Sequence, residues 1–242
     1  MVRKLKAMWS SYRKVPSDTR YLPFWFHSLL PGHFPLRDER PWVTFKAITW
    51  LKRYLKPDMQ VFEYGSGGST LFFARRVGRV VSVEHDEEYY RVVSKAIESK
   101  ALRNCQYLLR RPKVLAREVG LGYSPRSCTS FMERWKALDF SGYVGAIDDF
   151  PDGSFDLVAV DGRSRVSCIA RSLSKVKRGG WLLLDNSERE GYEPGWRLLA
   201  NYRRYDFYGL VPSNLDPYQT SVWHLDDAPP ARAILLDRAA AV

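Results

Sequence analysis

The sequence predicts an α/β fold, a Rossmann-like three-layer α/β/α sandwich on a mostly parallel sheet with a C-terminal antiparallel hairpin. From residue 59 onward, short apolar runs alternate with amphipathic segments of helical spacing. This alternation is typical of a parallel sheet covered on both faces. Glycine or acidic residues follow four of the apolar runs, where ligands bind in such sheets. The 242 residues, 45% of them hydrophobic, suffice for one domain of this type.

The segment before this alternation is expected to differ from the rest of the chain. Residues 1–40 are predicted to be irregular because four prolines interrupt their aromatic clusters. A helix is predicted to follow Pro41, since proline favours the first helical turn, and to end at Lys56-Pro57.

The predicted sheet and its helices follow in order. The strands are the apolar runs at 60–64, 79–84, 105–109, 155–160 and 181–184, with a hairpin from 204–209 and 219–225. The helices are expected at 69–77, 86–97, 166–173 and 196–202. Residues 110–142 form a basic and aromatic connection that is longer than a compact crossover needs, which favours a functional role for it.

The charge balance indicates anionic partners. The chain has 38 Lys and Arg against 27 Asp and Glu, a formal net charge of +11, which attracts nucleic acid, a membrane surface or an acidic small molecule. The three cysteines are far apart in sequence and lack a CxxC spacing. This count argues against a disulfide framework or a zinc site and indicates a reducing compartment.

No segment of the sequence predicts a membrane span, and we expect a soluble, cytoplasmic protein. The longest apolar run, residues 21–30, is too short and contains Pro23 and His27. The basic N-terminus lacks the apolar core of a signal peptide. A weak contact of this basic, aromatic arm with a membrane surface stays open beside the simpler interpretation of a partly mobile tail.

The segment V-F-E-Y-G-S-G-G-S-T, residues 61–70, is the first motif with chemical content. Glycines directly after a strand let a ligand approach the backbone, and the following helix N-terminus offers free N–H groups. A dinucleotide-binding turn would have a glycine where Thr70 stands, and Glu63 precedes the glycines. Both departures disfavour a pyrophosphate ligand and an NAD-dependent dehydrogenase. The alternative is a tight turn without a ligand.

Glu84 and His85 follow the second predicted strand. A carboxylate at this place can accept hydrogen bonds from both ribose hydroxyls of an adenosine. His85 is interpreted as a neighbour of that site, either as a base or as a solvated loop residue.

These motifs resemble those of class I S-adenosylmethionine-dependent methyltransferases. Residues 63–70 and the following V-S-V-E-H-D resemble the first motif of that family and its successor. Residues 156–165 and 179–186 are similar to its fourth and fifth strands, so that the resemblance spans about residues 42–225. The cofactor that it implies is S-adenosylmethionine.

The resemblance also implies roles for particular residues. Gly65, Ser66 and Gly67 would pass under the methionine moiety, with Glu63 near that end, and Glu84 would hold the ribose. The cofactor-binding set that we expect is Glu63, Gly65, Ser66, Gly67, Gly68, Ser69, Thr70, Glu84 and His85. The adenine is expected near residues 143–148.

Asp161 and Asp185-Asn186 close the fourth and fifth strands. This pattern is similar to the metal site of catechol-type O-methyltransferases, and three oxygen ligands suit Mg²⁺. A bound metal would lower the pKa of an acceptor hydroxyl and align it with the methyl group. The alternative is that Asp161 orients the cofactor or acceptor and that Asp185-Asn186 form local hydrogen bonds.

Arg163 and Arg165 follow Asp161 directly. Guanidinium groups there can hold a carboxylate or phosphate through paired hydrogen bonds. The alternative is a solvated start of the next helix.

We therefore expect a methyltransferase domain at residues 42–228, with an N-terminal extension at 1–41 that covers the acceptor pocket and a C-terminal tail at 229–242. Asp161 and Arg163 are the predicted catalytic residues, and the acceptor is expected to be an oxygen of a small anionic sugar or metabolite. An RNA methyltransferase is the first alternative, and a non-catalytic scaffold is the second. The RNA interpretation would use a phosphate-binding face formed by Arg110, Arg111, Lys113, Arg117 and Arg126.

Overall fold

A seven-stranded sheet forms the centre of the molecule. The structure, a computed structural model, describes residues 2–115, 124–130 and 132–226. The strands are β1 (Gln60–Tyr64), β2 (Arg79–Glu84), β3 (Cys105–Leu109), β4 (Phe155–Val160), β5 (Val176–Asp185), β6 (Arg203–Gly209) and β7 (Tyr218–Leu225). Their order in the sheet is β3-β2-β1-β4-β5-β7-β6. The first five are parallel, and β7 is antiparallel to both of its neighbours. The predicted mostly parallel sheet with a C-terminal hairpin is confirmed.

Helices cover both faces of this sheet. They are α1 (Val2–Arg13), α2 (Leu22–Ser28), α3 (Phe45–Tyr54), α4 (Gly68–Ala74), α5 (Glu87–Ser99), α6 (Ser141–Val144), α7 (Arg165–Ser172) and α8 (Glu193–Leu198). Successive strand residues enter opposite cores, as the two-residue period of a strand requires. Val61 belongs to the apolar core that also contains residues of α3 and α4, whereas Phe62 and Tyr64 belong to the core that contains residues of α6 and α7. The three-layer prediction is confirmed.

The N-terminal segment is more ordered than the sequence predicted. Residues 1–40 were expected to be irregular, but they contain α1, a 3₁₀ helix at Pro16–Tyr21 and α2. Pro16 and Pro23 lie in the first turns of the latter two helices, where the missing N–H of proline costs nothing. Trp25 of α2 is fully buried, and its Nε1 donates a hydrogen bond to the Asn214 carbonyl at 2.8 Å. Packing against the distant C-terminal part of the chain therefore stabilises this segment.

A second anchor joins the same segment to the sheet. Asp18 is fully buried and lies 2.7 Å from Lys46 Nζ. Its other carboxylate oxygen accepts a hydrogen bond from the Leu210 backbone N–H at 2.7 Å. One carboxylate oxygen is thus ion-paired and the other is hydrogen-bonded, which offsets the cost of burying the charge.

Other departures from the prediction are shifts of element ends. Strand β5 begins at Val176 rather than at residue 181, because its pairing with β4 continues through a register irregularity beside Phe155, with Gly179 at a φ of +77°.

The long connection at 110–142 contains a two-residue antiparallel pair, Lys113–Val114 with Leu138–Asp139. Arg117 and the predicted tail at 229–242 lie outside the described residues. Within the described ranges, no helix combines the length and apolar character that a membrane span requires.

Candidate functional site

A cavity of about 1040 Å³ opens at the carboxyl ends of β1, β2, β4 and β5. Residues of all four strand ends line it, together with part of the N-terminal segment. The predicted site residues that line it are Gly65, Ser66, Gly67, Gly68, Ser69, Glu84, His85, Asp161, Arg163, Asp185 and Asn186. The structure therefore brings most of the predicted residues to one cavity, at the place where the strand order reverses.

The glycine turn after β1 forms one wall by close backbone packing. Gly65 has a φ of +88°, and a Cβ there would lie 2.8 Å from Gly162 Cα in the turn after β4. A Cβ on Gly68 would overlap the Pro35 carbonyl of the N-terminal segment, and one on Gly162 would overlap the Tyr143 hydroxyl. Side chains are excluded here by contacts with three separate parts of the chain, which keeps the turn close to the cavity.

Glu63 and Thr70 stand behind this turn rather than in the cavity wall. Thr70 Oγ1 accepts a hydrogen bond from the Gly67 N–H at 3.0 Å and donates to Glu63 Oε2 at 2.6 Å. The Ser82 hydroxyl of β2 donates to the same carboxylate oxygen at 2.7 Å. Glu63 is 1% exposed, and burial raises its pKa to about 7 despite these hydrogen bonds. Both residues stabilise the turn from below.

Glu84 is the ionised group beside the glycine turn. Its Oε2 accepts hydrogen bonds from the Ser66 N–H at 3.2 Å and the Ser66 hydroxyl at 2.8 Å, and its Oε1 accepts from the N–H groups of His85 and Asp86. Burial opposes ionisation, but these donors and the nearby His85 ring lower the pKa of Glu84 to about 2. The Ser66 hydroxyl also lies 2.6 Å from Tyr107 Oη. A ligand hydroxyl can therefore replace Ser66 at Glu84 while Ser66 keeps a partner.

Aromatic residues that the sequence interpretation missed complete this part of the cavity. The rings of His85 and Trp135 meet edge to face, with centroids 4.7 Å apart, and the Tyr89 hydroxyl lies against the turn at Gly67. The segment 143–148, predicted to contact adenine, does not line the cavity. Tyr143 is fully buried beneath His85 instead. Trp135 belongs to the connection at 110–142. The basic and aromatic composition of that connection was the sequence signal that could have identified it.

The acidic end of the cavity is organised by Arg165. Its Nη2 donates to Asp161 Oδ1 at 2.9 Å, its Nε donates to the Gly162 carbonyl at 3.1 Å, and its Nη1 donates to the Asp185 carbonyl. The Arg165 side chain is buried, and these N–H groups donate to the protein itself. Arg165, predicted to hold an acceptor anion, instead joins the ends of β4 and β5.

Asp161 and Asp185 act as a coupled acidic pair. Burial and the neighbouring Asp161 raise the pKa of Asp185 well above its ordinary value, although its Oδ1 accepts a hydrogen bond from Thr220 Oγ1 at 2.8 Å. Burial also raises the pKa of Asp161, and Arg165 opposes that shift. Because two adjacent carboxyl groups do not both ionise easily, the pair retains a proton at pH values where isolated carboxyls have lost theirs.

This donor set does not fit the Mg²⁺ site that the resemblance implied. Magnesium prefers ionised oxygen ligands in open octahedral geometry, whereas Asp161 is already paired with a guanidinium cation and burial raises the pKa of both carboxyls. In the part of the chain that the structure describes, no three His, Cys, Asp or Glu side chains are grouped to hold a metal. Asn186, the third predicted ligand, is buried at the cavity wall with a φ of +49°.

Two cationic side chains face the cavity without a carboxylate partner among the described residues. Arg163 contacts the Met132 sulfur through Nη1, and its buried Nε has no hydrogen-bond partner there. Burial lowers the pKa of Arg163. Arg189 is exposed and lines the same cavity, and the sequence interpretation did not identify it. The aromatic side chains of Phe34, Trp42 and Tyr218 line the cavity as well.

Comparisons with known proteins place this geometry in a fold class. No family model and no curated protein matches the chain. Among solved structures, a putative O-methyltransferase from Klebsiella pneumoniae has 13% sequence identity and a TM-score of 0.54, with 89% of this chain and 94% of that chain covered. Cofactor-bound Rv0187 from MTB has 13% identity and a TM-score of 0.53 at the same coverage.

A third solved structure is similar over a shorter stretch. A putative methyltransferase from Streptococcus mutans in complex with SAH has 12% identity and a TM-score of 0.51, with 74% of this chain and 96% of that chain covered. At these identities the likeness shows the fold alone, which this chain shares with these solved methyltransferase structures. The fold that the glycine turn and the following strands predicted is thereby confirmed.

Proposed function

We propose that the chain is an S-adenosylmethionine-dependent methyltransferase that methylates an oxygen of a small anionic acceptor. One observation carries this proposal: a single cavity combines a glycine turn and an ionised Glu84 at one end with Asp161 and Asp185, whose pKa values are raised, at the other. Its volume of about 1040 Å³ lies at the upper end of the usual range for small-molecule sites.

The cofactor end suits the chemistry of an adenosyl sulfonium compound. The ionised Glu84 can accept hydrogen bonds from ribose hydroxyls, and the turn at Gly65 admits an extended chain close to the backbone. Trp135 and His85 offer aromatic surfaces for a base. The cofactor supplies the electrophilic methyl group, and the protein supplies its position.

At the other end, Asp161 is the residue that we expect to accept the acceptor's proton. Its raised pKa lies nearer to neutral pH than that of an ordinary carboxyl, which makes the Asp161 carboxylate a stronger base. The hydrogen bond from Arg165 fixes the orientation of this carboxylate. Asp185 is buried, and its pKa is raised well above its ordinary value, so the proton of the pair stays on Asp185 and Asp161 remains ionised beside Arg165. The predicted magnesium ion has no role in this proposal, because Arg165 already supplies the positive charge beside Asp161.

The acceptor class follows from the charges and rings at that end. Arg163 and Arg189 can pair with a carboxylate or phosphate, and Trp42 and Tyr218 offer faces for a sugar or other ring. The N-terminal extension contributes Phe34 to the cavity lining, and we propose that it covers the acceptor pocket.

RNA methylation is less favoured by the surface charges. Two residues of the predicted phosphate-binding face are engaged in ion pairs, Arg110 with Asp149 at 3.4 Å and Arg111 with Glu87 at 2.7 Å. Lys113 is exposed. The non-catalytic alternative is disfavoured because neither the glycine turn nor Glu84 has been lost.

Calorimetric titration with S-adenosylmethionine tests the cofactor site. We expect the wild type to bind and Glu84→Gln to bind about tenfold or more weakly, since hydrogen bonds to an ionised group are lost. Glu87→Gln is the matched control, because Glu87 is a nearby acid outside the cavity lining. Absence of wild-type binding would overturn the proposal, and equal affinity in Glu84→Gln would overturn the role of Glu84.

A panel of acceptors tests the substrate class. Formation of S-adenosylhomocysteine is measured with carboxylated and phosphorylated sugars, with their neutral counterparts and with RNA. We expect turnover with the charged small molecules. Turnover with RNA alone would replace this proposal by the RNA alternative.

A further inference from the structure

Large apolar side chains are exposed mainly in the N-terminal segment. Of the twelve exposed large hydrophobic residues among those described, six lie within the first 42 positions. Each is between 46% and 62% exposed, and they are Trp9, Phe24, Phe26, Leu30, Phe34 and Trp42. Exposed aromatic residues in such a concentration mark an interaction surface.

Four of them lie on α2 and the turn after it, and we call this exposed group the arm face. Phe24 and Phe26, two residues apart, lie on opposite flanks of the exposed side of α2, and Leu30 and Phe34 follow the helix. The other side of α2 is fixed to the protein, where Trp25 is buried and Ser28 Oγ accepts a hydrogen bond from the Ser213 N–H at 3.0 Å. Rotation of α2 that would bury the arm face is therefore prevented. The outward position of these side chains is a property of the folded state.

The arm face borders the mouth of the candidate active site. Phe34 is part of the arm face and also lines the cavity, as does Trp42. Trp25 on the inner side of α2 donates to the carbonyl of Asn214, which lines the cavity too. A surface that covers the arm face would therefore lie directly beside the cavity opening.

The charge of this segment is strongly positive. Residues 1–40 contain eight Lys and Arg and only three Asp and Glu. All three acids are engaged: Asp18 with Lys46, Glu39 with Arg75 and Lys100, and Asp38 with His33. Among the basic residues of the segment, Lys14 lies 3.9 Å from Asp216, and the segment as a whole keeps a formal excess of positive charge.

We infer that the arm face docks on an anionic lipid bilayer, with its aromatic side chains at the level of the head groups and the basic residues against the lipid phosphates. Aromatic residues favour the membrane interface, and clustered Lys and Arg are attracted to anionic lipid. Amphipathic segments that combine both features lie in the interface plane. Docking in this way turns the cavity mouth towards the head groups. This inference concerns binding alone and does not depend on methyl transfer.

Co-sedimentation of the full chain with vesicles tests the inference. The probes are vesicles of phosphatidylcholine alone and of phosphatidylcholine mixed with phosphatidylglycerol. We expect the wild type to bind the mixed vesicles, with binding that weakens as sodium chloride is added because salt screens the charges. No binding to the mixed vesicles, or equal binding to both kinds, would overturn the proposal.

A triple variant, Phe24→Ser, Phe26→Ser and Leu30→Ser, tests the arm face itself. Because these side chains are exposed, the variant is expected to keep its fold, which circular dichroism and thermal unfolding check. We expect its vesicle affinity to fall about tenfold or more. Val114→Ser is the matched control, because Val114 is 80% exposed and lies in the connection after β3. A triple variant that binds as tightly as this control would overturn the assignment of the arm face.

Discussion

Replacing Gly65 by alanine tests the contact between the glycine turn after β1, which forms one wall of the cavity, and the turn after β4. A φ of +88° disfavours any residue with a Cβ, at a cost of about 1–2 kcal/mol. The new Cβ would also lie 2.8 Å from Gly162 Cα and 2.9 Å from Gly162 N. Overpacking of this kind adds about 1–3 kcal/mol. Gly65→Ala is therefore expected to lose roughly 2–5 kcal/mol of unfolding free energy.

Gly153→Ala is the matched control for this variant. Gly153 also has a positive φ, +65°, but a Cβ there would meet nothing within 4 Å. Gly153→Ala should therefore lose only the free energy that a Cβ at positive φ costs. The overpacking at Gly65 should make the two variants differ by about 2–12 °C in melting temperature. The assay is thermal unfolding followed by circular dichroism, with S-adenosylmethionine titration in parallel. Equal losses in the two variants would refute the contact, and undiminished cofactor binding by Gly65→Ala would refute its place in the cofactor site.

Three further outcomes are expected. The pKa of Glu63 is raised from 4.5 to about 7 in the folded state. Between these pH values the folded protein keeps a proton on Glu63 that the unfolded chain has lost. The free energy of unfolding should therefore fall as pH rises from 4.5 to 7. Relative to Glu63→Gln, the wild type should lose up to about 3 kcal/mol across that window, and a pH-independent difference in unfolding free energy would contradict this. Asp161→Asn should retain S-adenosylmethionine binding but lower the transfer rate by about 10²–10⁴-fold; an unchanged rate in single-turnover measurements would exclude it as the base. Addition of EDTA should leave the wild-type transfer rate unchanged, whereas loss of activity restored by Mg²⁺ would show that a metal displaces Arg165 from Asp161.

The sheet could be predicted from the sequence because its signals are local. Residues 60–64 and 155–160 are short, mostly apolar runs between polar turns, and both are strands with those bounds. The same is true of the cofactor half of the cavity, since the glycine turn and Glu84 directly follow their strands. In each case the residues that determine the structure are neighbours in sequence.

The features that sequence reasoning missed depend on distant contacts. Arg165 was interpreted as an acceptor-binding residue, because the sequence does not reveal that its donors point back to the turn after β4 and to Asp185. The order of the N-terminal segment depends on burial of Trp25 beside Asn214, almost two hundred residues away in the chain. Proline content alone favours an irregular segment, and tertiary packing overrides that preference.

The contact of Gly162 with Gly65 and Tyr143 has a consequence for how related sequences can vary. At Gly65 the obstacle is backbone, which no substitution elsewhere removes, so this position should admit glycine alone. At Gly162 the first obstacle is the hydroxyl of Tyr143, which phenylalanine lacks. Loss of that hydroxyl would still leave Gly65 N and the ring carbon Cζ of residue 143 at 3.0 Å from the new Cβ. A small side chain at 162 should therefore occur only in chains that have lost the hydroxyl at 143 and in which the two turns have moved slightly apart.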